Sequence, residues 1–524
     1  MIKDSLPRQK IAVEPIIAAA IVSAVFCSLF FHGYEIFQYT LSIDEELMFG
    51  TTDPLRYIRR GRWGATVVSW LRTPLPVTHM MAGLVLYGAA FVLLIRRLQV
   101  KNWESVIVAA GMFFGFPVLL YAFAFSNLAP IVGLGTFLSV CALYTATERT
   151  WSRFLLAALL VAFVIAIYQS LFFFLLVIFL ADLARQIWLA HEFDWNSQRR
   201  RFAWYGSIVI CGLLFYALIS WFLLKVSSQK LEYLPSYVRP DILAAHPTAI
   251  LRRTLEQAGR FYSGGASAFV GFAQPYRLFA FISIAILIWT VAIGWRKSKG
   301  AGLLWALLLA AILAAPFVQH PINNGDMPYR TLISLPAAVA ILCLFATEAA
   351  GPRIRRWILL PIMAVVLIQF SAINNKQYYA GHWALERDKV LGILILSRIE
   401  EMFPNEKAFT IAVVGQGPGK RDALIPKVPS STLGASFFRW DGGNRGRVAS
   451  FLDFLSNSEF KSASDAQMEK AFEAAATFPS WPDKKSIARL ADEVVLIKLS
   501  EPTKRQLQLL CNHRQSEFCA KNRR

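Results

Sequence analysis

Charged residues are scarce for a chain of this length. Only 17% of the 524 residues are Asp, Glu, Lys or Arg, against about 25% in a soluble globular domain, which excludes a soluble multi-domain enzyme. Acidic residues are the scarcer kind, 34 against 54 Lys and Arg, leaving a net charge of +20. Histidine (7) and cysteine (6) are few, and none sits with carboxylates at metal-ligand spacing, so the sequence demands no metal and no cofactor. Internal repeats and low-complexity stretches are missing. Sustained polar/apolar alternation is missing as well, which excludes an outer-membrane barrel. What is abundant is apolar: 56% of the residues, much of it in uninterrupted runs near the roughly 20 residues that cross a bilayer core.

Eleven such runs stand between charged punctuation: 11–33, 76–95, 103–122, 128–147, 153–167, 169–187, 204–226, 276–295, 301–318, 331–350 and 357–373. The fifth and sixth form one apolar stretch broken by Tyr168-Gln169-Ser170, and are read as two because one tilted helix does not need that length. The first run is too long for a cleaved signal peptide, carries Glu14, and lacks a small-residue cleavage site. The chain therefore reads as a polytopic α-helical membrane protein with about eleven spans.

The positive charge follows this pattern. Lys3, Arg8 and Lys10, Arg96, Arg97 and Lys101, Arg149 and Arg153, Arg185 and Arg199 to Arg201, Arg296, Lys297 and Lys299, and Arg353, Arg355 and Arg356 all fall on one side. The opposite short loops, 124–128, 168–170 and 319–329, contain no Lys or Arg. The positive-inside rule makes the first side cytoplasmic and the N-terminus cytoplasmic. The net charge is thus a topology signal, and no nucleic-acid partner is expected.

Three long segments then lie outside: 34–75, 227–275 and 374–524. The last holds 23 Lys/Arg and 17 Asp/Glu, a charge density close to that of soluble domains. It alternates helical patterns (384–402, 464–475) with short apolar runs at 409–414 and 494–497, so it reads as an extracytoplasmic α/β domain following a membrane portion of residues 1–373. Four cysteines fall within spans. Cys511 and Cys519 are the only pair outside, and a disulfide between them is expected, the alternative being two unpaired thiols.

Chemistry in a membrane enzyme gathers where spans meet water. Asp44-Glu45-Glu46 follows the first span. Adjacent helical positions differ by about 100°, so at least one of these carboxylates faces any cleft, where it can act as general base toward a hydroxyl. A solvated acidic cap is the plain alternative. Downstream, Asp53 to Gly64 is rich in arginine and aromatics, with Arg56, Arg59 and Arg60 on one helical face and Arg62 beside Trp63. Such arginines either pair with lipid headgroups or bind the phosphate of a lipid-linked substrate bidentately and stabilise its charge as it leaves. Arg330 ends the stretch Asn323 to Arg330 at the mouth of the tenth span, where a buried charge is costly. The loop 227–275 offers Tyr233, Tyr237, Arg239, Tyr262 and Ser263-Gly264-Gly265, suited to stacking on sugars and to moving as a lid, with an ordinary interfacial loop as the plain alternative.

These pieces resemble a family. Asp44-Glu45-Glu46, Gly61-Arg62-Trp63-Gly64, Ala166-Ile167-Tyr168-Gln169-Ser170, Tyr329-Arg330 and Glu386-Arg387-Asp388 look like the serotype-converting O-antigen glucosyltransferases, the GtrII-like family. The resemblance spans about 1–400. It implies a GT-C architecture in a bacterial inner membrane, with its active site and C-terminal domain on the periplasmic side. It implies glucose transfer from undecaprenyl-phosphate-glucose to an O-antigen repeat of lipopolysaccharide, alongside a separate donor synthase and flippase. Asp44 and Glu45 match the position of the essential acid in the first outer loop.

The expected reaction is single-step inverting transfer. Asp44, assisted by Glu45 or Glu46, is the expected base; Arg62, Arg59 and Arg330 hold the departing phosphate; Trp63, Tyr233 and Tyr262 face the sugars. Which carboxylate is the base stays open. Two alternatives stand: transfer of mannose, arabinose or an amino sugar to protein, lipid A or a wall polymer, and a lipid or sugar transporter. The transporter fits less well, because the deep segments carry almost no charge.

Overall fold

A computed structural model describes residues 14–43, 45, 55–68, 76–190, 192–232, 240–269, 273–322, 328–418, 433–490, 493–511 and 518–519. The chain divides into two compact units. The first comprises residues 1–33, 54–123 and 127–374; the second comprises 34–53, 124–126 and 375–524. The second unit is thus more than a C-terminal segment. It also takes up the start of the first outer loop and three residues between the third and fourth apolar runs.

The first unit is helical. Among the described residues, each of the eleven apolar runs lies largely on helix. Among the described residues, seven helices are long and apolar enough to cross a membrane: Pro15–Phe37, Thr78–Arg97, Leu171–Leu189, Trp195–Val226, Gln274–Arg296, Lys299–Pro321 and Pro352–Met402. Four shorter apolar helices accompany them, Trp103–Gly115, Ala129–Thr145, Trp151–Ile167 and Ser334–Ala349. The run 103–122 is shortened because Pro117 removes a backbone donor and forces Phe116 out of the helical region (φ −59°, ψ 124°). The separation at Tyr168 is equally local. Tyr168 is extended (φ −158°, ψ 115°), ending one helix before Leu171 opens the next.

Polar residues at the helix ends fix where the helices start. Asp194 accepts from the backbone N–H groups of Asn196 and Ser197, and Ser298 from that of Ala301. The interior is aromatic: Tyr87 stacks on Phe113 at 4.3 Å, with Phe91 and Phe114 packed around them. On the arginine-rich side, charges tie helices together. Arg97 meets Asp182 at 2.7 Å, Arg356 meets Glu104 at 2.8 Å, and Arg185 pairs with Glu348 while donating to the carbonyls of Leu98 and Gln99. Such charges are tolerated in an apolar bundle because each has a partner.

In the second unit, the expected helix 384–402 is the end of one continuous helix, Leu360–Met402. Residues 374–383 contain no proline, and Gly381 costs only about 1 kcal/mol in a helix. At 43 residues this helix is roughly 65 Å long, about twice a hydrocarbon core, so only its first part, the run 357–373, is read as a span. The sheet has four strands: β1 (Ala408–Val414), β2 (Glu459–Ser462), β3 (Ile487–Arg489) and β4 (Val494–Lys498), in the order β2-β1-β4-β3. β1 is parallel to both β2 and β4, while β3 runs antiparallel to β4.

Side-chain alternation sends β1 into two cores. Phe409, Ile411 and Val413 pack with Leu385, Ile395 and Ile399 of the long helix and Phe451 of helix Arg445–Leu455. Ala412 and Val414 face Met468, Ala471 and Phe472 of helix Asp465–Ala475. Cys511 and Cys519 are joined by a disulfide and belong to this second core.

Candidate functional site

In the second unit, the acidic loop is held by the hydrophobic core. Beyond Phe37, Leu41 and Ile43 insert among Leu385, Ile395 and Phe409, and Ser42 between them donates its hydroxyl to the Ala124 carbonyl. This fixes Glu45, which is only 3% exposed. Its Oε2 accepts from the Ser42 backbone N–H at 2.8 Å, its Oε1 accepts from the Ser126 hydroxyl at 2.6 Å, and its own N–H donates to the Ser42 carbonyl. A glutamate reaching back three residues in this way is half of a capping box. Both of its oxygens are engaged in holding the loop. Asp44 and Glu46 lie outside the described residues.

Glu35, which the sequence reading did not single out, stands two residues before the end of helix Pro15–Phe37. It is 6% exposed; Oε1 accepts from the Thr40 N–H at 3.1 Å, while Oε2 is buried without a hydrogen-bond partner. The signal that points to it is a carboxylate near the end of an otherwise apolar helix. Beside these acids, burial and then the Glu45 charge push the Tyr39 phenol above its ordinary range, so it stays a neutral donor.

The arginine segment belongs to the first unit. Helix Leu55–Arg59 is a single turn, so Arg60 falls in the following turn and not on a shared helical face with Arg56 and Arg59. Gly61, at φ +67°, ends the helix in a conformation that suits glycine. Arg62 follows. Its Nε donates to Gln169 Oε1 at 2.9 Å, and its guanidinium lies 4.6 Å from the centre of the Tyr168 ring. Gln169 returns its amide N–H groups to the carbonyls of Arg60 (2.9 Å) and Gly61 (3.3 Å), and the Tyr216 hydroxyl also donates to Gly61 at 2.9 Å. The approach is close. A Cβ on Gly64 would stand 2.9 Å from the backbone of Ala166 and Ile167.

Two sequence motifs about a hundred residues apart therefore form one cradle, 61–64 against 166–169. A charge-assisted hydrogen bond contributes about 1.5–3 kcal/mol and a cation–π contact about 0.5–2 kcal/mol, so the guanidinium is held in a defined orientation. Gln169 and Tyr216 are the residues the sequence reading gave no role.

The other expected residues are placed as follows. Arg59 donates to Gln229 Oε1 at 3.2 Å and meets Glu232 at 3.4 Å. The Trp63 indole N–H donates to Ser220 at 3.2 Å and its ring packs on Phe163, which fixes the segment to helix Trp195–Val226. Tyr262 donates its hydroxyl to the Leu313 carbonyl at 2.7 Å. Arg330 is half-buried in the turn Tyr329–Thr331, next to Tyr329, whose ring meets Tyr121 and Phe261 edge-on. Tyr233 lies outside the described residues. In the second unit, Asp388 of the Glu386-Arg387-Asp388 motif is buried, accepting from the Ser436 hydroxyl and the Phe437 N–H. Burial lifts its carboxyl to about 7 despite those hydrogen bonds.

A family model described as glucosyl transferase GtrII matches residues 33–347, more than half of the chain. No curated protein and no solved structure matches it.

Proposed function

The chain belongs to the GtrII glucosyl transferase family and is a glucosyltransferase with membrane-spanning helices; from that premise we propose that it moves glucose from a polyprenyl-phosphate donor to an O-antigen acceptor, on the periplasmic side of a bacterial inner membrane. A separate donor synthase and flippase supply the donor. The observation that carries the donor assignment is the Arg62 cradle. A guanidinium oriented by Gln169 and Tyr168, in a segment flanking a membrane helix, is suited to a lipid phosphate.

In the proposed reaction the acceptor hydroxyl oxygen attacks the anomeric carbon. The bond between that carbon and the phosphate oxygen breaks, and its electron pair leaves on the lipid phosphate. The hydroxyl proton passes to Asp44, with Glu46 as the alternative base. Glu45 positions the loop through Ser42 and Ser126, and Arg62, supported by Arg59 and Arg330, offsets the charge gathering on the phosphate. One inversion at the anomeric carbon results.

The test is transfer of radiolabelled glucose from synthetic undecaprenyl-phosphate-glucose to purified O-antigen-bearing lipopolysaccharide by membranes containing the protein. Asp44→Asn is expected to lower turnover at least a hundredfold. Wild-type rates in Asp44→Asn would move the role of base to Glu46, and wild-type membranes inert toward this donor would overturn the donor assignment.

A further inference from the structure

A polar cavity lies in the first unit, on the side of the arginine-rich short loops. It has a volume of about 660 Å³, and its walls come from the ends of helices Pro76–Arg97, Leu171–Leu189 and Trp195–Val226 and from the turn after Thr145. None of the residues assigned to glucosyl transfer lines it.

Four arginines line the cavity, and two of them are already satisfied. Arg97 is held by both oxygens of Asp182, and Arg185 by Glu348 and two carbonyls. The other two are not. Arg201 uses one donor on Gln186 Oε1, and Arg149, exposed on the turn, makes no hydrogen bond or ion pair among the described residues. Of the acids, Asp182 is consumed by Arg97, Gln186 and the Tyr205 hydroxyl, and Asp194 caps a helix. Glu192 and the Asp194 cap also carry negative charge, but among the described residues no ion pair joins either to Arg149 or Arg201, so guanidinium donors stay open on the cavity wall.

Gln198 supplies the complementary feature. It is 4% exposed, lines the cavity, and its side-chain oxygen is buried without a donor among the described residues. An acceptor left in that condition is unfavourable, and a hydroxyl arriving in the cavity would satisfy it. Gln99 adds a further polar side chain, held on the wall by a left-handed backbone (φ 49°) that glutamine rarely adopts. Trp204 stands on the same wall, its indole N–H on the Ala146 carbonyl, where the apolar run 204–226 begins. That is the depth at which lipid headgroups lie against a membrane helix.

We propose that this cavity binds a phosphate-bearing headgroup that also carries hydroxyls, the phosphate on Arg149 and Arg201 and a hydroxyl on Gln198. The chemistry is shared by phosphatidylglycerol in the adjoining leaflet and by soluble glycerol 3-phosphate. Trp204 at the start of the lipid-facing run favours the lipid.

The full chain, reconstituted in phosphatidylcholine nanodiscs with and without phosphatidylglycerol, tests this by native mass spectrometry of the lipids that stay bound. Phosphatidylglycerol is expected to be retained at least tenfold over phosphatidylcholine, and Arg149→Ala with Gln198→Leu to abolish that preference. Glycerol 3-phosphate titrated into phosphatidylcholine nanodiscs forms the second arm. Saturable binding there that the same variant weakens tenfold, without lipid retention, assigns the site to a soluble ligand. If the double variant does not fold, Arg149→Gln carries the comparison, since that side chain is exposed and has no bond to lose among the described residues. Phosphatidylglycerol retention that the substitutions leave unchanged, together with no glycerol 3-phosphate binding, overturns the proposal and leaves glucosyl transfer untouched.

Discussion

If Arg62 serves the donor phosphate, removing its support should damage catalysis even though Gln169 itself touches no substrate. Gln169→Leu deletes the hydrogen bond from Arg62 Nε and the two bonds to the Arg60 and Gly61 carbonyls. Gly61 keeps the Tyr216 hydroxyl, so the turn is weakened but not stripped. The charge-assisted bond is the larger loss, about 1.5–3 kcal/mol. Because 1.4 kcal/mol is a factor of ten, kcat/KM for the donor should fall roughly tenfold to a hundredfold. Arg62→Gln should cost at least as much, since it removes the charge and the cation–π contact together. The two should not add. Once Arg62 is gone, Gln169 has nothing to orient, so the double variant should lie within about threefold of Arg62→Gln alone. Initial rates against donor concentration in membranes give all four corners of the cycle, with melting temperatures as the control for folding. Additive losses, or a Gln169→Leu enzyme whose deficit lies wholly in its melting temperature, would refute the link between the cradle and the donor.

Three further outcomes are expected. Gly64→Ala places a methyl 2.9 Å from the Ala166 and Ile167 backbone, so thermal unfolding should show a loss of about 1–3 kcal/mol with a fall in donor affinity. Asp388 binds its proton more tightly folded than unfolded, between the ordinary aspartate value of 3.8 and about 7. Stability should therefore decline as pH rises through that window and level off above it, by a few kcal/mol at most; melts at pH 5 and pH 8 should differ in the wild type and converge in Asp388→Asn. Cys511→Ser removes a cross-link eight residues long, worth about 2–3 kcal/mol in chain entropy, and hydrogen exchange should show helix Lys504–Cys511 losing protection.

The helices were legible because their cause is local. An apolar run reads as a helix whatever it packs against, and the break at Tyr168-Gln169-Ser170 announces itself by three polar or aromatic residues in a long apolar stretch. Strands β1 and β4 were legible as short runs such as Phe409 to Val414, and the Cys511–Cys519 pair by its position outside the spans. Tertiary pairing left no such trace. Nothing in Arg62 names Gln169 as its partner, because the bond between them depends on how two helices meet. The length of Leu360–Met402 was hidden for another reason. Its polarity changes at Asn374, where the two units also divide, while its backbone conformation does not, so composition marks the boundary between the units but not the end of the helix. Leu41 and Ile43 alternate with polar neighbours in the manner of a half-buried strand, a small pattern beside the three carboxylates that follow.

That last pairing bears on how the protein is made. Leu41 and Ile43 fill the same core as Leu385, Ile395 and Phe409, about 340 residues later in synthesis. The last strand, β4, ends at Lys498, about 455 residues after Ile43, so at roughly 5–20 residues per second the acidic loop waits some 20–90 seconds for the sheet that will hold it. During that interval two large apolar side chains stand without their core, a natural binding target for chaperones. The loop that carries the proposed base thus takes its final shape only after almost the whole chain exists, and a truncated translation product would be inactive even with every residue of its outer loops intact.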